Sequence, residues 1–317
     1  MIHQIRHWMG QLGRAILTPF WYRTLRHPAI LPVEYLEIAK VFERARDLTS
    51  REALLDDDYW AAQLRKYAHI LDKGVQRCDC EPGHSRDFYK AALNTRERIH
   101  DEGMKDDPSI IWAFEKIRQY ELLQKEQRQT NRPPFAPLPT DSYSKLIEIL
   151  RHRRSNRNYT EQMIDQHAIL KILEVVNWGP KSCNRQTTKI FVATEPKLVS
   201  ECLAQCEGAT GFSNNIPCFL SFCADLRPYL LPREMGLPYV DVSLGAQNCC
   251  LVASTLGISL TLLSWSHHSP NQDSELRRLL KIPDHLLIVF NGVMGYPQYD
   301  VEGPSAKSVN NTVLFVK

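Results

Sequence analysis

The spacing of apolar residues changes character near residue 140. Before that point apolar residues recur every three or four positions, as in Tyr59–Leu71 and Ser109–Leu123, and charged residues occupy the opposite faces. After it, stretches with this helical spacing alternate with short continuous apolar runs, which are typical of buried strands. The pattern predicts a helical first part and a second part with an α+β or α/β layer structure.

The boundary between the two parts is polar and rich in proline. A polar tract covers residues 124–131, and four prolines follow between positions 133 and 139. Proline fixes φ and lacks a backbone N–H, so this stretch is expected to be extended. We therefore expect a helical domain at 1–125, a linker at 126–141 and a second domain at 142–317.

Individual elements follow from the same patterns, with Gly and Pro as stop signals. In the first part, Gly74 is expected to cap the end of a helix. In the second part, the expected helices are Gln166–Asn177, Pro196–Cys206, Asp241–Leu256 and Asp273–Leu280, and the expected strands are Lys189–Ala193, Ile216–Ala224, Ile258–Ser264 and Leu286–Met294.

Composition and charge narrow the class of protein. The chain has 317 residues with 39 Lys and Arg against 36 Asp and Glu, a net charge of +3 and 43% apolar residues. These values describe a globular protein and exclude a disordered chain, a collagen-like repeat and a polytopic membrane protein. The basic excess is too small to favour nucleic-acid binding. Nine cysteines, an odd number in a long chain, indicate free thiols in a reducing compartment, so a cytoplasmic location is expected.

Two segments raise the question of a membrane. Val242–Trp265 carries no charge and is long enough to cross a bilayer, but polar residues recur in it and Gly257 divides it. A buried helix followed by a buried strand is expected there instead. Residues 1–33 contain basic and aromatic side chains but no acid, which suits peripheral contact with an anionic membrane. Packing onto the rest of the protein explains the same aromatic residues, so both readings stay open.

Three polar clusters carry candidate chemistry. Residues 151–157 place four arginines at the end of a predicted helix, and guanidinium groups bind phosphate through bidentate bonds. A basic helix C-terminus is also favourable against the helix dipole. Residues 179–187 form a polar loop whose amides match the edge of a uracil-like ring, although such amides also stabilise simple turns. Asp241, Gln247 and Asn248 lie in an apolar helix and need partners there, as they would in any core helix.

In order and spacing, these clusters resemble the motifs of the FMN-dependent nitroreductase family, and the resemblance covers residues 145–317. Five motifs carry it: the Arg-Arg-Ser-x-Arg-x-Tyr start at 153–159, Pro-x-Ser-x-Asn-x-Gln at 180–186, Asp241 with Gln247-Asn248 and Gly257-Ile258, Ile282-Pro283, and Gly295-Tyr296-Pro297.

The resemblance implies a nitroreductase-like α+β fold, with helices flanking a central, mostly antiparallel sheet, preceded by an all-helical N-terminal domain. It also implies a homodimer with two FMN sites at the subunit interface. NADH or NADPH would deliver hydride to FMN, and a small organic substrate would then use the same face, so ping-pong kinetics are expected. The substrate would be a nitro compound, a quinone, an enone or a dedicated biosynthetic intermediate. No catalytic triad and no metal site are expected.

The family's binding residues carry over to matching positions. The arginine cluster would meet the phosphate, the ribityl chain and the pyrimidine edge of FMN, and the loop after Gly179 would line the flavin ring from the other subunit. A backbone N–H near Trp265 would face the flavin N5 atom. The expected FMN-binding residues are Arg153, Arg154, Ser155, Arg157, Pro180, Lys181, Ser182, Asn184, Gln186, Ser264, Trp265 and Lys307.

One departure from the family pattern supports a competing hypothesis. Lys307 fits the first position of the family's final Lys-x-Arg pair, but Val309 stands at the second. FMN affinity would fall unless Arg151 or another basic group compensates. The alternative is a protein of the same fold with a degraded flavin site that acts as a binding or scaffold partner.

Minimal members of the family lack residues 1–125, and this extension holds further candidates. His69 and Lys73 share one face of a predicted helix, in a segment similar to a His-x-x-acid-Lys-Gly signature of long family members. They are candidates for binding an anionic substrate group, with a solvated helix face as the alternative. Cys78 and Cys80 lack a second cysteine pair, so no metal site is expected there.

Overall fold

The computed structural model describes residues 40–316 except 41, 44, 52–54, 78–79, 126–133, 213–214 and 230. The candidate membrane-contact segment at 1–33 and the first half of the expected linker, residues 126–133, therefore lie outside the described residues. The helices with defined bounds are α1 Asp57–Gln76, α2 Arg86–Arg96, α3 Glu102–Lys105, α4 Pro108–Gln124, α5 Ser142–His152, α6 Gln166–Leu173, α7 Pro196–Leu203, α8 Leu237–Thr255 and α9 Pro270–Leu280.

An antiparallel sheet forms the centre of the second part. Its strands are β1 Thr188–Ala193, β2 Cys218–Asp225, β3 Ser259–Leu263 and β4 Leu286–Gly295, in the spatial order β1-β2-β4-β3. All three pairings are antiparallel, so the expected α+β fold is confirmed. β1 and β3 are the two edge strands, which matters for the position of the candidate site.

Helices cover both faces of the sheet, and the sequence of β2 reflects this. Every residue of β2 is buried, and successive side chains point to opposite faces. Leu220 and Phe222 pack into one core together with Val242 and Ala246 of α8. Phe219 and Cys223, on the opposite face of β2, belong to a second core that includes side chains of α7 and α9. A strand buried on both sides is apolar throughout, which is why this segment reads as a continuous apolar run.

The helical part has its own core and is attached to the sheet by buried charges. Side chains of α1, α2 and α4, among them Leu64 and Tyr120, form a separate apolar cluster. Arg227, which follows β2 and is 2% exposed, pairs with Asp225 and also with Asp56 at the start of α1, at 2.6 and 2.9 Å. Because this guanidinium bridges one carboxylate from each part, it fixes the first turn of α1 against the end of the sheet.

Two expectations about helix ends are wrong. Gly74 does not end α1, which continues to Gln76. A Cβ at Gly74 would lie 2.3 Å from His84 Cδ2, so close packing explains this glycine, and capping does not. The helix expected over 166–177 is α-helical only to Leu173 and continues as a 3₁₀ helix over Glu174–Trp178, which packs on α8.

The uncharged stretch Val242–Trp265 forms most of the buried helix α8 and then strand β3, as expected. In the described part of the chain, no helix combines the length and the apolar character that a membrane crossing requires.

Substituting Gly245 tests the contact between α8 and the 3₁₀ helix. A Cβ at this position would lie 2.4 Å from the carbonyl oxygen of Val176, and backbone cannot move away cheaply. We expect Gly245→Ala to lower the free energy of unfolding by about 1–3 kcal/mol, measured by urea denaturation followed by circular dichroism. Gly208→Ala is the control, because nothing lies within 4 Å of its Cβ. Equal midpoints for the two variants would contradict the assigned contact.

Candidate active site

Residues 153–157, here termed the arginine turn, leave the end of α5 and run beside the edge strand β3. Ser259 Oγ accepts a hydrogen bond from the backbone N–H of Asn156 at 3.3 Å and donates to the carbonyl of Arg154 at 3.1 Å. Thr261 Oγ1 donates to the carbonyl of Asn156 at 2.8 Å. Two hydroxyls of β3 therefore hold the turn through its backbone.

Arg154 ties the arginine turn to the segment that follows the sheet. Its Nε donates to the carbonyl of Val301 at 3.0 Å, and its Nη1 donates to the carbonyls of Arg151 and Arg153. A Cβ at Gly303 would lie 2.6 Å from the guanidinium carbon, so a larger residue there would displace the Arg154 side chain from this position. Arg154 thus acts first as a cross-link, and no carboxylate of the described residues neutralises its charge.

The neighbouring cations are also without counter-ions. Arg153 Nη1 is 3.4 Å from Ser155 Oγ, and the Arg157 guanidinium lies over the Phe212 ring with its carbon 5.9 Å from the ring centre. Like charges at this density favour binding of an anion. Within the described residues, no ion pair involves the arginines of this segment, Arg151, Arg153, Arg154 and Arg157. Lys307, near the C-terminus, also forms none there.

The segment after β3 supplies further polar groups. Ser264 is exposed, and its Oγ accepts a hydrogen bond from the backbone N–H of Ser266 at 3.2 Å. Trp265 is 5% exposed and stacks on His268 at a ring distance of 4.5 Å. The indole Nε1 of Trp265 is buried without a hydrogen-bond partner among the described residues. A buried donor without an acceptor is costly, so this group is a candidate for contact with a ligand.

Residues 180–187, here termed the amide loop, adopt an unusual backbone at the start of β1. Cys183, Asn184 and Gln186 have φ values of 51°, 54° and 53°, in the left-handed region that side-chain-bearing residues rarely adopt. The Gln186 amide donates to Asn184 Oδ1 at 3.0 Å, which links two of these residues within the loop. Three such residues in one short loop require a strong external restraint.

That restraint is a buried carboxylate on α8. Asp241 Oδ1 accepts hydrogen bonds from the backbone N–H and the hydroxyl of Ser182 at 2.9 and 2.8 Å. Asp241 Oδ2 accepts a hydrogen bond from the Tyr229 hydroxyl, which also contacts Thr187 Oγ1, both at 2.9 Å. Burial and the neighbouring carboxylate raise the pKa of Tyr229, so the hydroxyl stays a donor. Both ends of the amide loop are held by one network.

Arg185 holds the loop from its other side. Its side chain is 0% exposed, pairs with Glu234, and donates through Nη1 to the carbonyl of Ser182 at 3.3 Å. Its own carbonyl accepts a hydrogen bond from Arg65 Nε of α1 at 3.1 Å. Burial lowers the pKa of Arg65 to about 10. The helical part of the chain therefore contacts the amide loop directly.

Of the expected site residues in this loop, Pro180 is available to a ligand, whereas the Lys181 ammonium group is engaged within the chain. Pro180 is exposed at the start of the loop. Lys181 donates from Nζ to the carbonyl of Val176 at 2.8 Å, and burial lowers the pKa of Lys181. Lys181 therefore holds the preceding 3₁₀ helix.

The expected site residues fall into two groups at opposite edges of the sheet. The arginine turn and the Ser264–Trp265 segment adjoin β3, whereas the amide loop leads into β1. Three strand spacings separate these edges, about 14 Å. Within one chain the two groups do not form a common cleft. His69 and Lys73 lie on α1, the helix that contacts the amide loop.

Sequence reasoning missed most of the residues that shape the amide loop. Arg185 lies in the 179–187 cluster but is not among the expected binding residues, and Arg65, Tyr229 and Glu234 lie outside every motif. Asp241 stood out as a polar residue in an apolar helix that needs partners, and this was the available signal. The partners are distant in sequence, so spacing alone does not identify them.

Comparisons with known proteins place these features in context. A profile of the Nitroreductase family matches residues 150–296. The chain is 25% identical over 166 residues to a putative NADH dehydrogenase/NAD(P)H nitroreductase of Methanothermobacter thermautotrophicus, covering 52% of this chain and 82% of that protein. It is also 25% identical over 166 residues to an FMN reductase (NADPH) of Bacillus subtilis, covering 48% of this chain and 65% of that protein. A putative nitroreductase in complex with FMN from Desulfovibrio desulfuricans matches with a TM-score of 0.46 at 20% identity, over 54% of this chain and 96% of that chain.

Removing the Asp241 carboxylate tests its role in holding the amide loop. Asp241→Ala removes the acceptor of two Ser182 donors and one of the two hydrogen-bond partners of the Tyr229 hydroxyl, so we expect a loss of about 2–3 kcal/mol in the free energy of unfolding. Asp241→Asn keeps an acceptor for Ser182 and is expected to lose less.

Cys183 reports on the loop itself, because it is not buried, unlike the other free cysteines of the described chain. We expect faster alkylation of Cys183 in Asp241→Ala than in the unsubstituted protein, measured by peptide mass spectrometry. An unchanged rate would show that the carboxylate does not hold the loop.

Proposed function

Residues 150–296 belong to the nitroreductase family, and from this premise we propose that the protein is an FMN-dependent oxidoreductase. It transfers hydride or electrons between NADH or NADPH and a small organic substrate. The observation that carries the proposal is the set of cations around the arginine turn that form no ion pair with a described residue. The strained amide loop at the opposite edge of the sheet is the second polar element of the proposed site.

The residues present fit the chemical groups of FMN. Arg153, Arg157 and Lys307 are free of acidic partners in the described chain and would bind the phosphate. The buried Asn156 Oδ1 and Trp265 Nε1 have no hydrogen-bond partner there, and each would find one on a polar ligand. Arg151 is exposed near the same turn and would compensate for the apolar Val309.

When bound, FMN accepts hydride from the nicotinamide and passes electrons to the substrate. The chain's own residues bind and orient it. The Asn184 amide and the Ser182 segment would meet the edge and face of the flavin ring, and Arg154 keeps the turn in place. One exposed face serves both the nucleotide and the substrate in turn, so ping-pong kinetics are expected. The substrate is a nitro compound, a quinone, an enone or a dedicated intermediate.

The placement of the two groups of residues supports a homodimer. Since the arginine turn and the amide loop lie at opposite edges of the sheet, the proposed site combines the turn of one copy with the loop of another. Apolar surface suited to such an interface is exposed. On α5, Tyr143 and Leu146 are 76% and 50% exposed, and near the C-terminus Leu314 and Phe315 are 85% and 91% exposed.

The competing hypothesis is a scaffold protein of this fold with a degraded flavin site. Val309, where the family places a second basic residue, favours it. An absorbance spectrum separates the two. The oxidoreductase binds added FMN and loses the visible flavin absorbance under anaerobic NADH or NADPH, whereas the scaffold gains no flavin spectrum.

A complementation experiment tests the shared site. The Arg153→Ala/Arg157→Ala double variant removes two exposed or half-exposed cations, and Asn184→Gly removes the amide while tolerating a φ of 54°. Each variant alone is expected to lose bound FMN. In random mixed dimers about one site in four combines an intact turn with an intact loop, so co-expression should restore about a quarter of the flavin content.

Arg118→Ala is the control, because Arg118 lies on α4 and pairs only with Glu115 at the surface. It is expected to retain full flavin content. If co-expression restores no flavin although mixed dimers form, the turn and the loop do not share a site across two copies.

A further inference from the structure

The helix α1 carries an unpaired cationic strip next to the amide loop. Arg65 donates to the carbonyl of Arg185, and the next residue of the helix, Lys66, is half-buried beside the same loop. Burial and the nearby Arg185 guanidinium lower the pKa of Lys66, whereas Glu234 and Cys183 oppose this shift. Lys66 therefore lies close to the loop that is expected to meet the flavin.

Two further residues continue this strip along the helix. Lys66, His69 and Lys73 are spaced at i, i+3 and i+7, so they share a sector of about 60° on α1. The distance along the axis from Lys66 to Lys73 is about 10 Å. We term these three side chains the α1 strip. Burial and the Lys73 charge lower the pKa of His69.

The α1 strip has no counter-charge of its own within the described residues. The Asp72 carboxylate is already paired: Lys116 Nζ lies 2.8 Å from its Oδ1, and the Gln76 side-chain amide donates a hydrogen bond to its Oδ2. Glu234 is engaged by Arg185. No hydrogen bond or ion pair joins any member of the strip to another described side chain. A purely solvated face does not account for Lys66, because its side chain is half-buried, forms no ion pair with a described carboxylate, and has its Nζ 5.8 Å from the centre of the Tyr67 ring.

We propose that the α1 strip binds the anionic group of the substrate, a carboxylate or a phosphate, while the reducible group lies over the flavin beside the amide loop. This inference rests on the proposed oxidoreductase function and names its substrate class: small molecules that carry both a reducible group and an anionic group. The helical N-terminal part thereby sets substrate specificity.

The test measures ligand binding by calorimetry on the FMN-loaded protein. The probes share one reducible group and differ in charge: 4-nitrobenzoate, 4-nitrophenyl phosphate and neutral 4-nitrobenzyl alcohol. We expect the better of the two anions to bind at least about tenfold more tightly than the alcohol, since each charge-assisted bond contributes about that factor. Which anion binds better distinguishes a carboxylate from a phosphate substrate. Added salt should weaken anion binding only.

Variants of the strip residues test whether the preference for anionic probes over the alcohol arises from the α1 strip. Lys66→Gln and Lys73→Gln should each reduce anion affinity about tenfold and leave the alcohol unchanged, and the double variant should abolish the preference. Lys90→Gln is the matched control, because Lys90 is an exposed lysine on α2 of the same helical part. Circular dichroism and flavin content check that each variant is folded and loaded.

Three results would overturn the inference. They are equal binding of anions and alcohol by the unsubstituted protein, a preference that survives in the double variant, and an effect confined to the KM for NADH or NADPH. The proposed function fails separately, when the protein does not bind FMN or when bound FMN is not reduced by either nucleotide.

Discussion

The arrangement of the candidate site depends on one buried carboxylate. Asp241 of α8 accepts two hydrogen bonds from Ser182 and one from Tyr229, and so holds an amide loop with three residues in the left-handed region. Without an acceptor at this position, the strained backbone would relax and the polar donors would be buried unpaired. Arg185 stabilises the loop from its other side. Its guanidinium donates a hydrogen bond to the Ser182 carbonyl, and its own carbonyl accepts one from Arg65 of α1. A central helix, a loop and an appended helical part are thus coupled through a few hydrogen bonds.

Charge is distributed so that cations remain available where ligands are proposed to bind. The buried guanidinium groups of Arg185 and Arg227 are paired with carboxylates, which offsets their desolvation. Around the arginine turn, and along the α1 strip, the described cations have no such partners. Because the carboxylates that pair with buried arginines are not available to these two surfaces, both surfaces stay positively charged and are suited to anionic ligands.

Much of the fold could be predicted from the sequence because its signals are local. The continuous apolar run of β2 and the nearly uncharged helix α8 identify a sheet covered on both faces. The motifs at 153–159 and 180–186 identified the arginine turn and the amide loop. The errors were also informative. A local pattern predicts that Gly74 caps a helix, but Gly74 lies inside α1. The His84 side chain, from another segment, occupies the space that a Cβ at position 74 would fill.

Local patterns in the chain were enough to predict the α+β class, the elements of the second part and the residue types of both polar clusters, since these depend on neighbours within one or two turns of chain. The position of the two clusters at opposite edges of the sheet is visible only in the folded chain, because strand order is set by packing between distant segments. The same holds for the partners of Asp241 and for the contact of α1 with the amide loop. Hydrogen bonds between residues tens of positions apart leave no periodic trace in the chain.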